Sequence, residues 1–206
     1  ALQHNNVIES AKKAGVKHII YTSLLGATND NTVKSLAGEH VETEAALKAS
    51  GITYTILRNG WYTENYTASI PAALANNAFY GSAKNGKISS VLRAELAEAA
   101  VNVALSEGHE NQTYELAGSI SWTLADLAAE ISKQTGKGIP YVDIPAADYA
   151  AALVQAGLNE GFAGLIAQWD VDASNGALFS EDKTLDKLLG RPTAGLDVAV
   201  KQALDH

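Results

Sequence analysis

The sequence predicts an α/β protein in which a parallel sheet comes first and a mostly helical region follows. Short apolar runs typical of buried strands alternate with longer segments whose apolar residues recur at helical spacing. The connections between them are short, which is the rhythm of βαβ units. With 206 residues, 47% of them hydrophobic, the chain is long enough to build a sizeable core.

The first part predicts two helix–strand pairs. Residues 1–14 carry an apolar stripe at helical spacing, and residues 34–48 repeat that pattern before Gly51. Each helix precedes a strand: His18–Ser23 is a continuous apolar run of the kind buried on both faces of a sheet, and Thr53–Leu57 is β-branched and apolar. A loop rich in Gly, Asn, Asp and Thr separates the pairs.

The rest of the chain predicts short strands among helices. The predicted strands share short apolar runs next to turn residues: 79–81, 88–92, 113–117 and 141–144. The predicted helices share an apolar face or a high alanine content: 68–76, 94–105, 123–135, 145–170 with breaks near Gly157 and Gly161, 185–189 and 198–204. Thr123 and Asp126 form a capping-box pattern at the start of one of them.

Composition limits the classes of function. The formal net charge of −8 argues against nucleic acid or an anionic membrane as a partner. The chain has no cysteine, which excludes disulfides and thiolate chemistry, and its histidines show no metal-ligand spacing. No apolar run is long enough to span a membrane and no signal segment opens the chain. We therefore expect a soluble, cytoplasmic protein, with homo-oligomer formation left open.

The segment from Thr53 to Tyr66 is the strongest candidate for a functional site. Its strand breaks at Asn59-Gly60 into a polar turn rich in aromatic residues. Ligands of open α/β sheets sit beyond the carboxyl ends of the strands, where this turn lies. The alternative is that its aromatic residues only cover the edge of the sheet.

A phosphate-binding glycine turn is not recognisable in the sequence. No G-x-G-x-x-G occurs, and residues 81–87, which contain Gly and Lys, lack the spacing of a P-loop and are interpreted as a surface turn. Two explanations remain open. Either the chain does not bind nucleotides, or it is the later part of a protein that does.

Two motifs favour the second explanation. The runs 16–23 and 50–60 resemble the NmrA-like branch of the atypical short-chain dehydrogenase/reductase group, and 58–66 most closely resembles its bacterial NADPH-dependent quinone oxidoreductases. The likeness extends over essentially the whole chain, including 122–124 and 187–193. It implies NADPH as cofactor, a small-molecule quinone as partner, and about a third of the family's length before Ala1. It also places the strand 18–23 at an exposed edge.

The resemblance also implies a division of the chain. Residues 1–118 would form the later part of a Rossmann NAD(P)-binding domain, and 119–206 a smaller, mainly helical substrate-side region. The family's Tyr-x-x-x-Lys motif falls on Leu36 and His40, so the catalytic tyrosine is replaced by an apolar residue. Alcohol-forming reduction benefits from a positioned acid, whereas a quinone yields a phenolate that needs only later protonation. The departure therefore favours quinone reduction.

The candidate site residues follow from the turn and the resemblance. His40, Asn59 and Tyr62 are predicted to be catalytic, and the predicted cofactor-binding residues are Ser23, His40, Asn59, Gly60, Trp61, Tyr62, Thr63 and Glu64. His40 has the alternative of pairing with Glu44 one helical turn away, and Ser23 that of bonding its own backbone. Gly60 is expected to allow close approach of a ligand, and Trp61 and Tyr62 to stack on a planar acceptor.

The remaining acidic residues of this part are given a structural interpretation. Glu39, Glu42 and Glu44 are expected to form a solvated helix face, and no metal site is predicted. Two functions remain open. One is NADPH-dependent quinone reduction by hydride transfer; the other is a non-catalytic NADP(H)-sensing regulator of the NmrA-like type. The aromatic residues 61 and 62 favour the enzyme, because a sensor has no acceptor to stack.

Overall fold

The computed structural model describes residues 2–205, which form an α/β fold. The strands are β1 (His18–Leu24), β2 (Thr53–Asn59), β3 (Phe79–Gly81), β4 (Gln112–Leu116) and β5 (Tyr141–Asp143). The helices are α1 (Leu2–Lys13), α2 (Lys34–Ala49), α3 (Glu64–Thr67), α4 (Ile70–Asn76), α5 (Arg93–Leu105), α6 (Leu124–Thr135), α7 (Ala146–Gln155), α8 (Glu160–Ser174), α9 (Thr184–Leu189) and α10 (Leu196–Leu204). The α/β prediction is confirmed.

The main sheet is parallel, with strand order β1-β2-β4. Side chains of successive residues point to opposite faces of a strand, so one face of the sheet packs against α1 and α2 and the other against α5 and α9. The prediction that β1 lies at an edge is confirmed. The prediction that it is buried on both faces is wrong for residues 18–22, because β1 is the outer strand: the first four of these residues are half-buried and Thr22 is exposed.

A second region packs around the two-stranded parallel pair of β3 and β5. Its core is the largest apolar cluster, and α3, α4, α6 and α10 contribute to it. Strand β3 precedes residue 118 and its partner β5 follows it, so this sheet draws on both sides of that position. The division of the chain at residue 118 stays a prediction.

Two local predictions are confirmed and two need correction. The capping box of Thr123 and Asp126 starts α6, and the left-handed Gly157 follows α7. Residues 88–92 are not a strand; they make single bridges, for example between Ile88 and Trp122. Gly161 does not break a helix, because Asn159 Oδ1 accepts the amide N–H of Gly161 and thereby caps the start of α8.

Within residues 2–205 the structure contains no helix with both the length and the apolar character needed to cross a bilayer.

Candidate active site

The carboxyl ends of β1, β2 and β4 meet at one edge of the main sheet. The register places Leu24 beside Asn59, and Asn59 beside Leu116. A cavity of about 250 Å³ opens there. Its lining consists of Thr22, Asn59, Tyr62, Arg93, Leu96, Ala97 and Ala100. Asn59 and Tyr62, two residues predicted to be functional, therefore lie in one cavity at the edge where α/β sheets bind ligands.

Asn59 is the polar group at this cavity whose bonding is incomplete. Its residue surface is 8% exposed, and its side-chain Oδ1 has no hydrogen-bond partner among the described residues. Its main-chain carbonyl is satisfied, because it accepts the Leu25 N–H at 2.9 Å. A buried amide oxygen without a donor is costly, so the site is suited to a ligand that supplies an N–H or O–H group.

Gly60 is required by packing within the protein. A Cβ atom added to it would lie 2.6 Å from the main-chain oxygen of Leu116, and the Gly60 N–H donates to that oxygen at 2.8 Å. The sequence-based expectation was close approach of a ligand; the structure shows close approach of β4. Because glycine has no Cβ atom, the turn after β2 can pack directly against the end of β4.

The two aromatic residues of the turn have different surroundings. Trp61 is 8% exposed and packs edge-to-face on Trp169, with 5.3 Å between the ring centroids. Tyr62 is half-buried and lines the cavity, with the Arg93 guanidinium 5.0 Å from its ring centroid. Tyr62 is thus available to a ligand in the cavity, whereas most of the Trp61 surface is covered by the protein.

Thr63 and Glu64 attach the turn to the start of α5. Thr63 Oγ1 lies 2.7 Å from Ser90 Oγ, and Glu64 Oε1 accepts the Arg93 N–H at 2.9 Å. A carboxylate at the first turn of a helix is favourable because the exposed N–H groups there are partly positive. Neither residue lines the cavity. Their contacts therefore fix Tyr62 and Arg93 relative to each other.

Ser23 and His40 lie on the α2 side of the sheet and do not line the cavity. Ser23 Oγ donates to Glu44 Oε1 at 2.6 Å, so it is not bonded to its own backbone. His40 Nδ1 lies 2.8 Å from the Tyr21 hydroxyl, and burial lowers the pKa of His40 below its ordinary value. No hydrogen bond or close ion pair joins His40 to Glu44, although the charge of Glu44 acts to raise the pKa of His40. The cofactor contacts predicted for both residues stay predictions.

The expectation of a solvated acidic face is wrong for Glu44. Glu44 is 2% exposed, because Arg58 of β2 draws it onto the sheet through hydrogen bonds of 2.9 and 2.7 Å. Burial by itself raises the pKa of Glu44, but the bonds from Arg58 and Ser23 outweigh it and hold the pKa below its ordinary value. The bonds to Glu44 also raise the pKa of Arg58. This is an ion pair in the interior.

Sequence reasoning missed Thr22 and Arg93, which line the cavity. Strand alternation was the usable signal for Thr22: Ser23 and Thr22 point to opposite faces, and only one of these faces carries Asn59. For Arg93 there was no such signal, because it reaches the cavity only through the packing of α5. A second cavity, of about 360 Å³ and lined by polar residues, lies between residues 30–35 and the C-terminal half of α8 with Asn175, and contains none of the predicted site residues.

Comparison with known proteins agrees with this arrangement. A family profile described as NAD(P)H-binding matches residues 2–107. The chain is 54% identical over 200 residues to quinone oxidoreductase 2 of Escherichia coli K12, covering 97% of this chain and 69% of that protein.

More distant and structural matches point to the same family. An NmrA-like family domain-containing oxidoreductase of Aspergillus flavus is 31% identical, covering 98% of this chain and 67% of that protein. The crystal structure of an Escherichia coli NADPH-dependent quinone oxidoreductase complexed with NADPH matches with a TM-score of 0.93 and 53% identity, covering 98% of this chain and 71% of the other. The chain therefore belongs to the NAD(P)H-binding, NmrA-like family.

Proposed function

We propose that this protein reduces quinones with NADPH by hydride transfer, without a Tyr-x-x-x-Lys acid. The observation that carries the proposal is the buried Asn59 side-chain oxygen, which has no hydrogen-bond donor among the described residues, in a residue that lines the cavity at the strand ends. The similarity to quinone oxidoreductase 2 and to a relative crystallised with NADPH supports the choice of cofactor and acceptor.

The residues of the cavity suit the nicotinamide end of NADPH. A nicotinamide carboxamide carries N–H groups, which are what the Asn59 oxygen lacks. Tyr62 offers an aromatic wall, and Leu96, Ala97 and Ala100 of α5 give the cavity a mostly apolar lining. When bound there, NADPH supplies the hydride. The protein supplies orientation and an apolar surface for the transfer.

The residue at the position of the family's catalytic tyrosine favours a quinone as acceptor. Leu36 occupies the position of the family's tyrosine and packs against the main core cluster. Tyr62 and Arg93 are the titratable side chains that line the cavity, and neither a carboxylate nor a histidine is among its described lining residues. An acceptor that becomes an aromatic phenolate needs no acid in the hydride step, so this lining is sufficient for it.

Substituting Asn59→Ala tests the proposal. We expect it to lower the affinity for NADPH by about 1 kcal/mol, roughly fivefold, because one hydrogen bond to the cofactor is lost. The control is Asn76→Ala, which removes an exposed asparagine at the end of α4. Affinity is measured by calorimetric titration of the full-length gene product, and turnover by the loss of NADPH absorbance with benzoquinone.

The two measurements separate the possible outcomes. Turnover in the wild type together with weaker binding of NADPH by Asn59→Ala supports the assignment. Binding of NADPH without reduction of any quinone would instead favour a sensor. Equal affinities of the Asn59→Ala and Asn76→Ala variants would remove Asn59 from the cofactor site.

A further inference from the structure

A rung of polar side chains crosses the main sheet near its carboxyl edge. Ser23, Arg58 and Glu115 occupy matching register positions on β1, β2 and β4, and Glu44 reaches them from α2. The Arg58 guanidinium forms a fork with Glu44, and its Nη1 donates to Glu115 Oε1 at 2.8 Å. A cation in the interior is thus shared by two carboxylates.

This network ends in the turn that follows β1, residues 25–28, here called the β1 turn. Glu115 Oε2 accepts the Gly26 N–H at 2.8 Å, and Arg58 Nη1 donates to Thr28 Oγ1 at 3.2 Å. Gly26 has a φ of +63°, a conformation that glycine adopts without strain. Two charged side chains of neighbouring strands therefore hold the β1 turn at two points.

The β1 turn in turn supports Asn59. The Leu25 N–H donates to the main-chain oxygen of Asn59 at 2.9 Å, and Leu24 lies beside Asn59 in the register. A shift of the β1 turn therefore acts on the backbone of Asn59, a residue that lines the cavity. The line of contacts runs from Arg58 and Glu115 through the β1 turn to Asn59.

We propose that Arg58 and Glu115 are positioning residues that hold the β1 turn against Asn59 and thereby set the affinity of the site for the nicotinamide. This inference rests on the proposed function. A buried ion pair is no more stabilising than well-packed apolar residues of the same volume, so stability alone does not account for charges here. The bonds that Glu115 makes to Gly26 and Arg58 makes to Thr28 are directional and end in the turn.

Glu115→Ala is the variant that separates this role from general stability. It releases the Gly26 N–H but leaves the fork between Arg58 and Glu44 intact, so no buried charge loses all its partners. Glu110→Ala is the control, because it makes the same charge change at an exposed site before β4.

Three measurements on the full-length protein test the positioning role: amide hydrogen exchange, NADPH affinity and melting temperature. We expect Glu115→Ala to accelerate amide hydrogen exchange across the β1 turn and to weaken NADPH binding by up to about fivefold, the effect expected from loss of the Asn59 hydrogen bond to the cofactor. Its melting temperature should stay close to that of Glu110→Ala. Arg58→Lys keeps the charge but loses the fork, so we expect it to weaken NADPH binding in the same way.

The results that overturn the inference are distinct from failure of the proposed function. Unchanged exchange at Gly26 in Glu115→Ala, or an NADPH affinity equal to that of Glu110→Ala, refutes the positioning role. Wild-type protein that binds NADPH but reduces no quinone refutes only the proposed function, since the affinity comparison still stands. Wild-type protein that binds no NADPH refutes both.

Discussion

Replacing Glu44 with alanine removes the acidic partner that Arg58 holds in the interior. Glu44 is 2% exposed and accepts bonds from Arg58 Nε, Arg58 Nη2 and Ser23 Oγ, of 2.9, 2.7 and 2.6 Å. Breaking a buried pair by removing one partner costs about 3–5 kcal/mol. For a chain of this size that corresponds to a fall in melting temperature of about 6–20 °C.

The size of this effect decides between two interpretations of the acidic helix face. Urea unfolding at pH 7 measures the free energy of unfolding of Glu44→Ala beside Glu42→Ala, whose side chain is exposed on the same helix. An exposed glutamate is worth about 0.5 kcal/mol or less. If both variants lose the same small amount, the argument from the buried pair is wrong.

The pH dependence gives a second check on Glu44. Its pKa in the folded protein lies below the ordinary value of 4.5, the bonds from Arg58 and Ser23 overcoming the effect of burial. A lowered acid pKa contributes stability that is present above the ordinary value and lost as the pH falls through the folded value. The deficit of Glu44→Ala relative to wild type should therefore be full at pH 7 and shrink in acid.

Three further substitutions test packing and burial. Gly60→Ala should destabilise the fold by about 1–3 kcal/mol in urea unfolding, because its Cβ would lie 2.6 Å from the Leu116 oxygen. Gly38→Ala in α2, where nothing lies within 4 Å, should instead stabilise it by about 0.5–1 kcal/mol, and the reverse order would contradict the packing argument. Burial raises the pKa of Asp170 to about 6, so its ionisation should cost stability as the pH rises towards 6 and no more above it. Asp170→Asn keeps an acceptor for the Ser82 N–H and should lose this component of the pH profile, an unchanged profile counting against it.

Local sequence patterns predicted most of the elements because their causes are local. The helix that begins after Thr123 was predictable from a capping box that the structure contains. Residues 88–92 were predicted as a strand from their composition, but their backbone partners lie on irregular segments elsewhere in the chain. A pattern within one segment carries no information about such partners.

The sequence predicted where the candidate site lies in the chain, but only some of the residues that line the cavity. The turn at Asn59 and Tyr62 was identified because a strand's carboxyl end is where ligands bind. The hydrogen bond of Ser23 could not be predicted, because its hydroxyl donates to Glu44, a residue 21 positions away in α2. Arg93 lines the cavity only because α5 packs beside it, and the sequence pattern does not predict this packing.

The sequence by itself determined the α/β class, the order of most elements and the turn on which the candidate site is proposed, because strand composition, helical spacing and glycine positions act over a few residues. Only the tertiary structure decided that Glu44 is buried and that Gly60 rests on Leu116. It likewise decided that the Asn59 oxygen lacks a partner within residues 2–205. Burial and hydrogen bonding depend on which distant segments meet, and this is settled by packing of the whole chain.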